Sequence, residues 1–178
     1  MSHASTKHGF EADVEAQSGV KLASCYQCGK CSAGCPMAFE MDLLPHQVIR
    51  LAQLGKKEKV LNCRTIWLCA TCEACTTRCP QEVDTARLMD SLRQMAYAEG
   101  RTGAESDAVK FSEEFLAWVK RTGRQFESGL VGMYKLRTGH FFQDLDAVPK
   151  MLPKLMKLPH RIKGQKAVAK IFEKCKAK

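Results

Sequence analysis

Residues 69–80 read CATCEACTTRCP, and residues 25–36 read CYQCGKCSAGCP. Each stretch spaces four cysteines two, two and three residues apart and closes on a proline: Cys25, Cys28, Cys31, Cys35 and Pro36, then Cys69, Cys72, Cys75, Cys79 and Pro80. This is the spacing of a [4Fe–4S] ligand loop, in which three cysteines wrap one cubane and the fourth reaches the other cluster of a two-cluster protein. Two copies make the count close. Cys25, Cys28, Cys31 and Cys79 are expected to hold one cluster, and Cys69, Cys72, Cys75 and Cys35 the second. Each proline ends its loop, because it fixes its own φ and lacks a donor. Zinc prefers two cysteine pairs set apart by a longer loop, which these triplets match poorly. Cys63 and Cys175 have no motif around them and read as ordinary small apolar residues.

The rest of the composition sets bounds. A chain of 178 residues suits one domain, or one with an appendage. No apolar run is long enough to span a bilayer, and the first thirty residues lack the apolar core of a secretory signal. The expectation is a cytoplasmic protein whose thiols stay reduced, with no disulfide framework. Net charge is +9, yet residues 1–100 balance eleven Lys/Arg against eleven Asp/Glu and residues 101–146 balance seven against seven. The excess lies in residues 147–178, with ten Lys/Arg and one acid, Glu173. Charge segregated in this way concerns partners more than fold.

The quartets repeat at an offset of 44 residues, and so do the segments C-terminal to them. Each is succeeded by an Asp expected to cap a helix (Asp42, Asp84), by apolar residues at helical spacing (Leu44, Val48, Leu51; Leu88, Leu92, Met95) and by a terminating Gly (Gly55, Gly100). No stretch near the quartets alternates with a strand period, so the fold class is all-α: two cluster loops, each followed by an amphipathic helix, in rough two-fold symmetry. Helices are also expected over 105–121, with Val109, Phe115, Leu116 and Val119 on one face, over 124–137 despite Gly129 and Gly132, and over the last basic residues. Pro149, Pro153 and Pro159 break the segment 141–163. The division read from this is an N-terminal arm (1–20), a two-cluster domain (21–103), a helical extension (104–146) and a basic docking tail (147–178).

Smaller features carry smaller expectations. Gly29 and Gly34 in the first loop face Glu73 and Arg78 in the second, which suggests a higher potential for the first cluster through closer backbone N–H groups. Tyr26 and Trp67 are read as core aromatics or cluster shields. His46 and His140 are read as surface or structural, with no metal partner at motif spacing.

On these motifs, on the IWLCATCEACTTRCP context through Gly100, and more weakly on LPKLMKLPHRIKG, the chain resembles the C subunit of heterodisulfide reductase. The wider group is the α-helical ferredoxin domain, found also in the iron–sulfur subunits of succinate dehydrogenase and glycolate oxidase. The resemblance implies an electron conduit in methanogenesis or sulfur metabolism. A flavin-containing A subunit would feed electrons to the two clusters, and a B subunit with Cys-Cys-Gly motifs would use them to reduce a disulfide. This chain has no Cys-Cys pair and no Gly-rich dinucleotide fingerprint, so neither the disulfide chemistry nor the flavin is assigned to it, and catalytic residues are expected to be none. The competing readings are an iron–sulfur subunit of another flavoprotein oxidoreductase and a zinc-stabilised nucleic-acid-binding module, which the scarcity of aromatics in the basic tail disfavours.

Overall fold

The computed structural model describes residues 9–102, 106–139 and 162–176. Among them every regular element is helical, and no helix is long and apolar enough to cross a membrane. The prolines at 149, 153 and 159, the Phe141-Phe142 pair and most of the basic tail lie outside the described residues. The chain divides into two compact units, residues 1–105 and 106–178.

The first unit holds both quartets. Helix α1 (Phe10–Ser18) buries Phe10 and Val14 and ends at Gly19, whose positive φ of 68° permits the left-handed turn. A 3-10 turn (Leu22–Ser24) leads into the first cysteine loop, which contains the single-turn helix α2 (Lys30–Ala33). Helix α3 (Pro45–Gln53) follows, then α4 (Lys57–Leu61) and α5 (Thr65–Leu68), which delivers Cys69 at its end. The second loop contains α6 (Ala74–Thr77) and runs into α7 (Thr85–Ala98). One core joins these pieces: Val14, Leu22, Val48, Ile49, Leu61, Ile66, Leu88, Met89 and Leu92 are essentially inaccessible to water. Each aliphatic side chain so buried stabilises the fold by about 1.5–3 kcal/mol before chain entropy is counted. Gly55 and Gly100 end their helices at φ of 66° and 70°, as the sequence predicts.

Asp84 caps α7 as expected, accepting the Arg87 N–H at 3.0 Å. Asp42 does not cap α3. That helix starts on Pro45, which needs no donor satisfied, and Gln47 Oε1 accepts the Leu44 N–H at 2.9 Å. The Asp42 carboxylate instead caps α5, accepting the N–H groups of Arg64 and Thr65, each at 3.0 Å, and the Thr65 hydroxyl at 2.8 Å. It thereby ties the segment after the first quartet to the helix before the second.

In the second unit, α8 (Ser106–Thr122) and α9 (Glu127–Thr138) pair as a hairpin, and α10 (Gln165–Lys176) packs on α8. Gly129 does not break α9. Its missing side chain is what lets α9 close on the Trp118 ring, which packs tilted against Phe126 with centroids 5.1 Å apart. Arg137 joins the two helices by pairing with Glu113 and Glu114 at 3.0 and 2.9 Å. The expected apolar face of α8 is only partly buried. Val109 is inside, but Phe115 and Leu116 are exposed, Leu116 by 51%, because α9 and α10 do not cover that side.

Partial burial pushes the Asp42 carboxyl up, but the hydrogen bonds from Arg64, Thr65 and Leu43 outweigh it and hold the group below the usual carboxylate range. A depressed folded-state value adds stability above the unfolded value, which is lost as pH falls through the folded one. Asp42→Ala is therefore expected to cost about 1 kcal/mol at pH 7, with the gap to wild type narrowing below about pH 4. Thermal unfolding of both proteins across pH 7 to 3 measures this. The two unmatched cysteines also separate. Cys63 is buried and donates to the Val60 carbonyl at 3.1 Å, whereas Cys175 is exposed on α10. Burial pushes the Cys63 thiol up, so iodoacetamide should label Cys175 in the native chain and reach Cys63 only after unfolding. Peptide mass spectrometry reads both sites.

Candidate metal centre

Wrapping one chain around three corners of a small cube requires sharp reversals between successive cysteines. The backbone supplies them by entering the left-handed region twice per loop, at the same places in each repeat: Gln27 (φ 66°) and Gly29 (76°) around Cys28, Thr71 (50°) and Glu73 (60°) around Cys72. Gly29 and Glu73 thus share one conformation, which the glycine adopts without strain. For Thr71, β-branched, that conformation is a strained one costing roughly 1–2 kcal/mol. Local strain of this kind persists where a site over-determines it.

The eight cysteines line two cavities. Cys25, Cys28, Cys31 and Cys79 surround one, with Gly29, His46, Ile49, Val83 and Thr85 as further wall. Cys69, Cys72, Cys75 and Cys35 surround the other, with Met41, Pro45, Thr85, Ala86 and Met89 among the wall residues. The fourth cysteine of each loop thus lies with the first three of the other. Helices α2 and α6, which lead to Cys35 and Cys79, pack against each other, and Arg78 lies directly over Gly34: a side chain at Gly34 would stand 2.7 Å from Arg78 Cδ. Thr85, the buried first residue of α7, belongs to both walls.

The donor set fits a polynuclear cluster. Four cysteines and no carboxylate line each cavity, the all-thiolate set that such a cluster takes. The remaining walls are largely apolar, and N–H groups reach two sulfurs of the first set: Val83 N–H donates to Cys79 Sγ at 3.3 Å and Gln27 Nε2 to Cys25 Sγ at 3.4 Å. Burial pushes the Cys31, Cys69 and Cys75 thiols up, so binding of a metal cluster as thiolates releases protons.

The repeat extends to side chains that the cysteine motif does not announce. The hydroxyl after each third cysteine accepts the N–H of the second residue of the following long helix: His46 N–H to Ser32 Oγ at 3.1 Å, Ala86 N–H to Thr76 Oγ1 at 3.5 Å. Each hydroxyl has a further partner, His46 Nδ1 at 2.7 Å from Ser32 and Asp84 Oδ1 at 3.1 Å from Thr76. His46 is thus part of the first cavity's support. The ninth residue of each helix clamps the approach to its quartet. Gln53 Nε2 donates to the carbonyls of Leu22 and Cys25 at 2.7 and 3.1 Å. Arg93 Nε and Nη2 donate to those of Ile66 and Cys69, both at 2.9 Å. Aligning the two helices by their starts, rather than the two quartets by their cysteines, pairs these residues and would have shown them in the sequence. Trp67 is half-buried against the core, with its indole N–H enclosed and unpaired. Tyr26 is 59% exposed and shields little.

Residues 21–83 match the family model for a 4Fe-4S dicluster domain. Among curated proteins the chain is similar to the C subunit of the H(2):CoB-CoM heterodisulfide,ferredoxin reductase of Methanothermobacter marburgensis, 33% identical over 100 residues, covering 56% of this chain and 54% of that one. It is also similar to the C2 subunit of the H(2)/formate:CoB-CoM heterodisulfide,ferredoxin reductase of Methanococcus maripaludis, 39% identical over 79 residues, 44% and 42% of the two chains. The iron-sulfur C subunit of the CoB--CoM heterodisulfide reductase of Methanopyrus kandleri is 26% identical over 130 residues, 73% and 56%. The chain spans about half the length of the curated relatives it matches. Residues 21–83 form a 4Fe-4S dicluster domain whose cofactors are two [4Fe–4S] clusters, in a chain similar to the C subunits of heterodisulfide reductases.

Proposed function

We propose that the chain is the electron-transfer subunit of a heterodisulfide reductase-type complex, relaying single electrons from a flavin-containing A subunit to a disulfide-reducing B subunit. The two clusters supply one-electron redox chemistry when bound. The ligand sets are Cys25, Cys28, Cys31 and Cys79 for one, and Cys69, Cys72, Cys75 and Cys35 for the other. The observation that carries the reading is the shared wall at Thr85: two four-thiol cavities lie side by side, separated at that point by one residue. Such adjacency serves transfer between centres. The apolar groups around the sulfurs, Ile49 and Val83 on one side and Pro45 and Met89 on the other, limit water and keep the low dielectric in which charge and hydrogen bonds tune potential.

Assembly with the partner subunits is assigned to the basic C-terminal segment. In its described part, α10 carries Lys166, Lys170 and Lys174 at four-residue intervals, which places them along one exposed helix face. A cationic stripe of this kind suits an acidic partner surface and acts mainly on encounter and orientation. The relay itself needs no acid–base group in this chain, so the reduction of the disulfide belongs to the partner.

Anaerobically reconstituted protein is expected to contain about eight irons and eight sulfides per chain. Cys79→Ser should lose the cluster of Cys25, Cys28 and Cys31, leaving about four irons, and should abolish electron delivery to the B subunit. Loss of the cluster of Cys69, Cys72 and Cys75 instead would overturn the ligand sets. A colourless, zinc-loaded native protein would overturn the function. Removal of residues 147–178 should leave both clusters in place and weaken co-purification with the partners; a truncated chain that still assembles at high salt refutes the docking role.

A further inference from the structure

The two halves clamp their first cysteines with the same geometry and different charge. Gln53 and Arg93 are each the ninth residue of the helix that follows a quartet. Gln53 donates to the carbonyls of Leu22 and Cys25, and Arg93 to those of Ile66 and Cys69. The acceptors stand at equivalent places, 44 residues apart. A neutral amide does in the first half what a guanidinium does in the second. If stapling the backbone were all the position required, the amide would suffice in both, as it does in one.

We infer that Arg93 sets the reduction potential of the second cluster, raising it through a permanent positive charge held against the Cys69 carbonyl. The inference rests on the ligand sets proposed above. Reduction adds one electron from the donor, with no bond made or broken in the chain. The centre becomes more negative by one unit, and a fixed cation beside it stabilises the reduced form over the oxidised one. The guanidinium does not deprotonate in proteins, so no proton accompanies the electron at this residue. Arg93 is half-buried, which protects the interaction from the salt screening that exposed charges suffer. The one acid of the second loop, Glu73, is exposed and is screened accordingly. Arg93 touches backbone and not the cluster sulfurs, so it is a positioning residue, and only the potential separates its charge from its staple.

The experiment is a mediated dithionite titration of the reconstituted full chain, followed by electron paramagnetic resonance, with the two signals assigned beforehand by Cys28→Ser and Cys72→Ser. Arg93→Gln imposes the first half's own clamp on the second. It is expected to lower the potential of the signal that Cys72→Ser removes by about 59 mV, a tenfold change in a one-electron equilibrium. The other signal and the iron content should stay unchanged, and Arg93→Lys should retain at least half of the wild-type offset. Both potentials unmoved in Arg93→Gln, with about eight irons retained, would overturn the inference, as would a shift confined to the signal that Cys28→Ser removes. Should Arg93→Gln lose iron, Gln53→Arg takes its place: it adds the charge to the first half and must raise that cluster's potential by a similar amount, and no rise overturns the inference. Failure of the ligand sets themselves shows separately, in which signal Cys79→Ser removes.

Discussion

Everything in the first unit is arranged around one difficulty: a polypeptide has to turn three closely spaced sulfurs toward a common centre. An extended strand throws alternate side chains to opposite sides, and a regular helix carries residues three apart along its axis as well as around it. The chain avoids both by passing into the left-handed region on either side of the middle cysteine. Only one of the four residues that do so, Gly29, is a glycine. The strain at Gln27, Thr71 and Glu73 is tolerated because helices α3 and α7 and a continuous apolar core hold the loop ends from outside. The core stabilises the fold, and the loops spend part of that stability on geometry.

That geometry occurs twice, and the copies are interlocked. Each loop places three sulfurs in its own cavity and the fourth in its neighbour's, and the crossing is consolidated by α2 against α6 and by Arg78 lying over Gly34. The capping of α5 by Asp42 adds a second tie, from the segment behind one quartet to the helix before the other. The repeat reaches beyond the cysteines, into a hydroxyl that receives a helix N–H and a clamp on a carbonyl. It is broken at the partners of those groups: His46 where the other half has Asp84, Gln53 where it has Arg93. A duplicated scaffold with unequal charges can hold two chemically similar centres at different potentials.

The all-helical class, the two-fold repeat and the pairing of cysteine quartets with helices were legible in the sequence, since spacing, periodicity and terminal glycines are local signals. Asp84 was legible for the same reason: its acceptor role lies within its own helix start. Asp42 was not, because its partners sit more than twenty residues on, at α5, and cap propensity says nothing of which helix is capped. Gln53 and Arg93 are legible only once the two helices are aligned by their starts, and the role of His46 is hidden in the sequence, for a related reason. Polar residues on an amphipathic helix look alike until tertiary packing shows which of them face a carbonyl or a hydroxyl. At α8, periodicity identifies the apolar face but carries no information on whether another element covers it.

The crossing of the fourth cysteines also dictates an order of events during synthesis. When the first loop leaves the ribosome it carries three of the sulfurs that line its cavity, and the one that completes the set, Cys79, is still to be translated. Neither cavity is whole until the second loop has emerged and α6 has come to rest on α2. A chain interrupted between the loops would leave the first cavity one sulfur short and the second unmade.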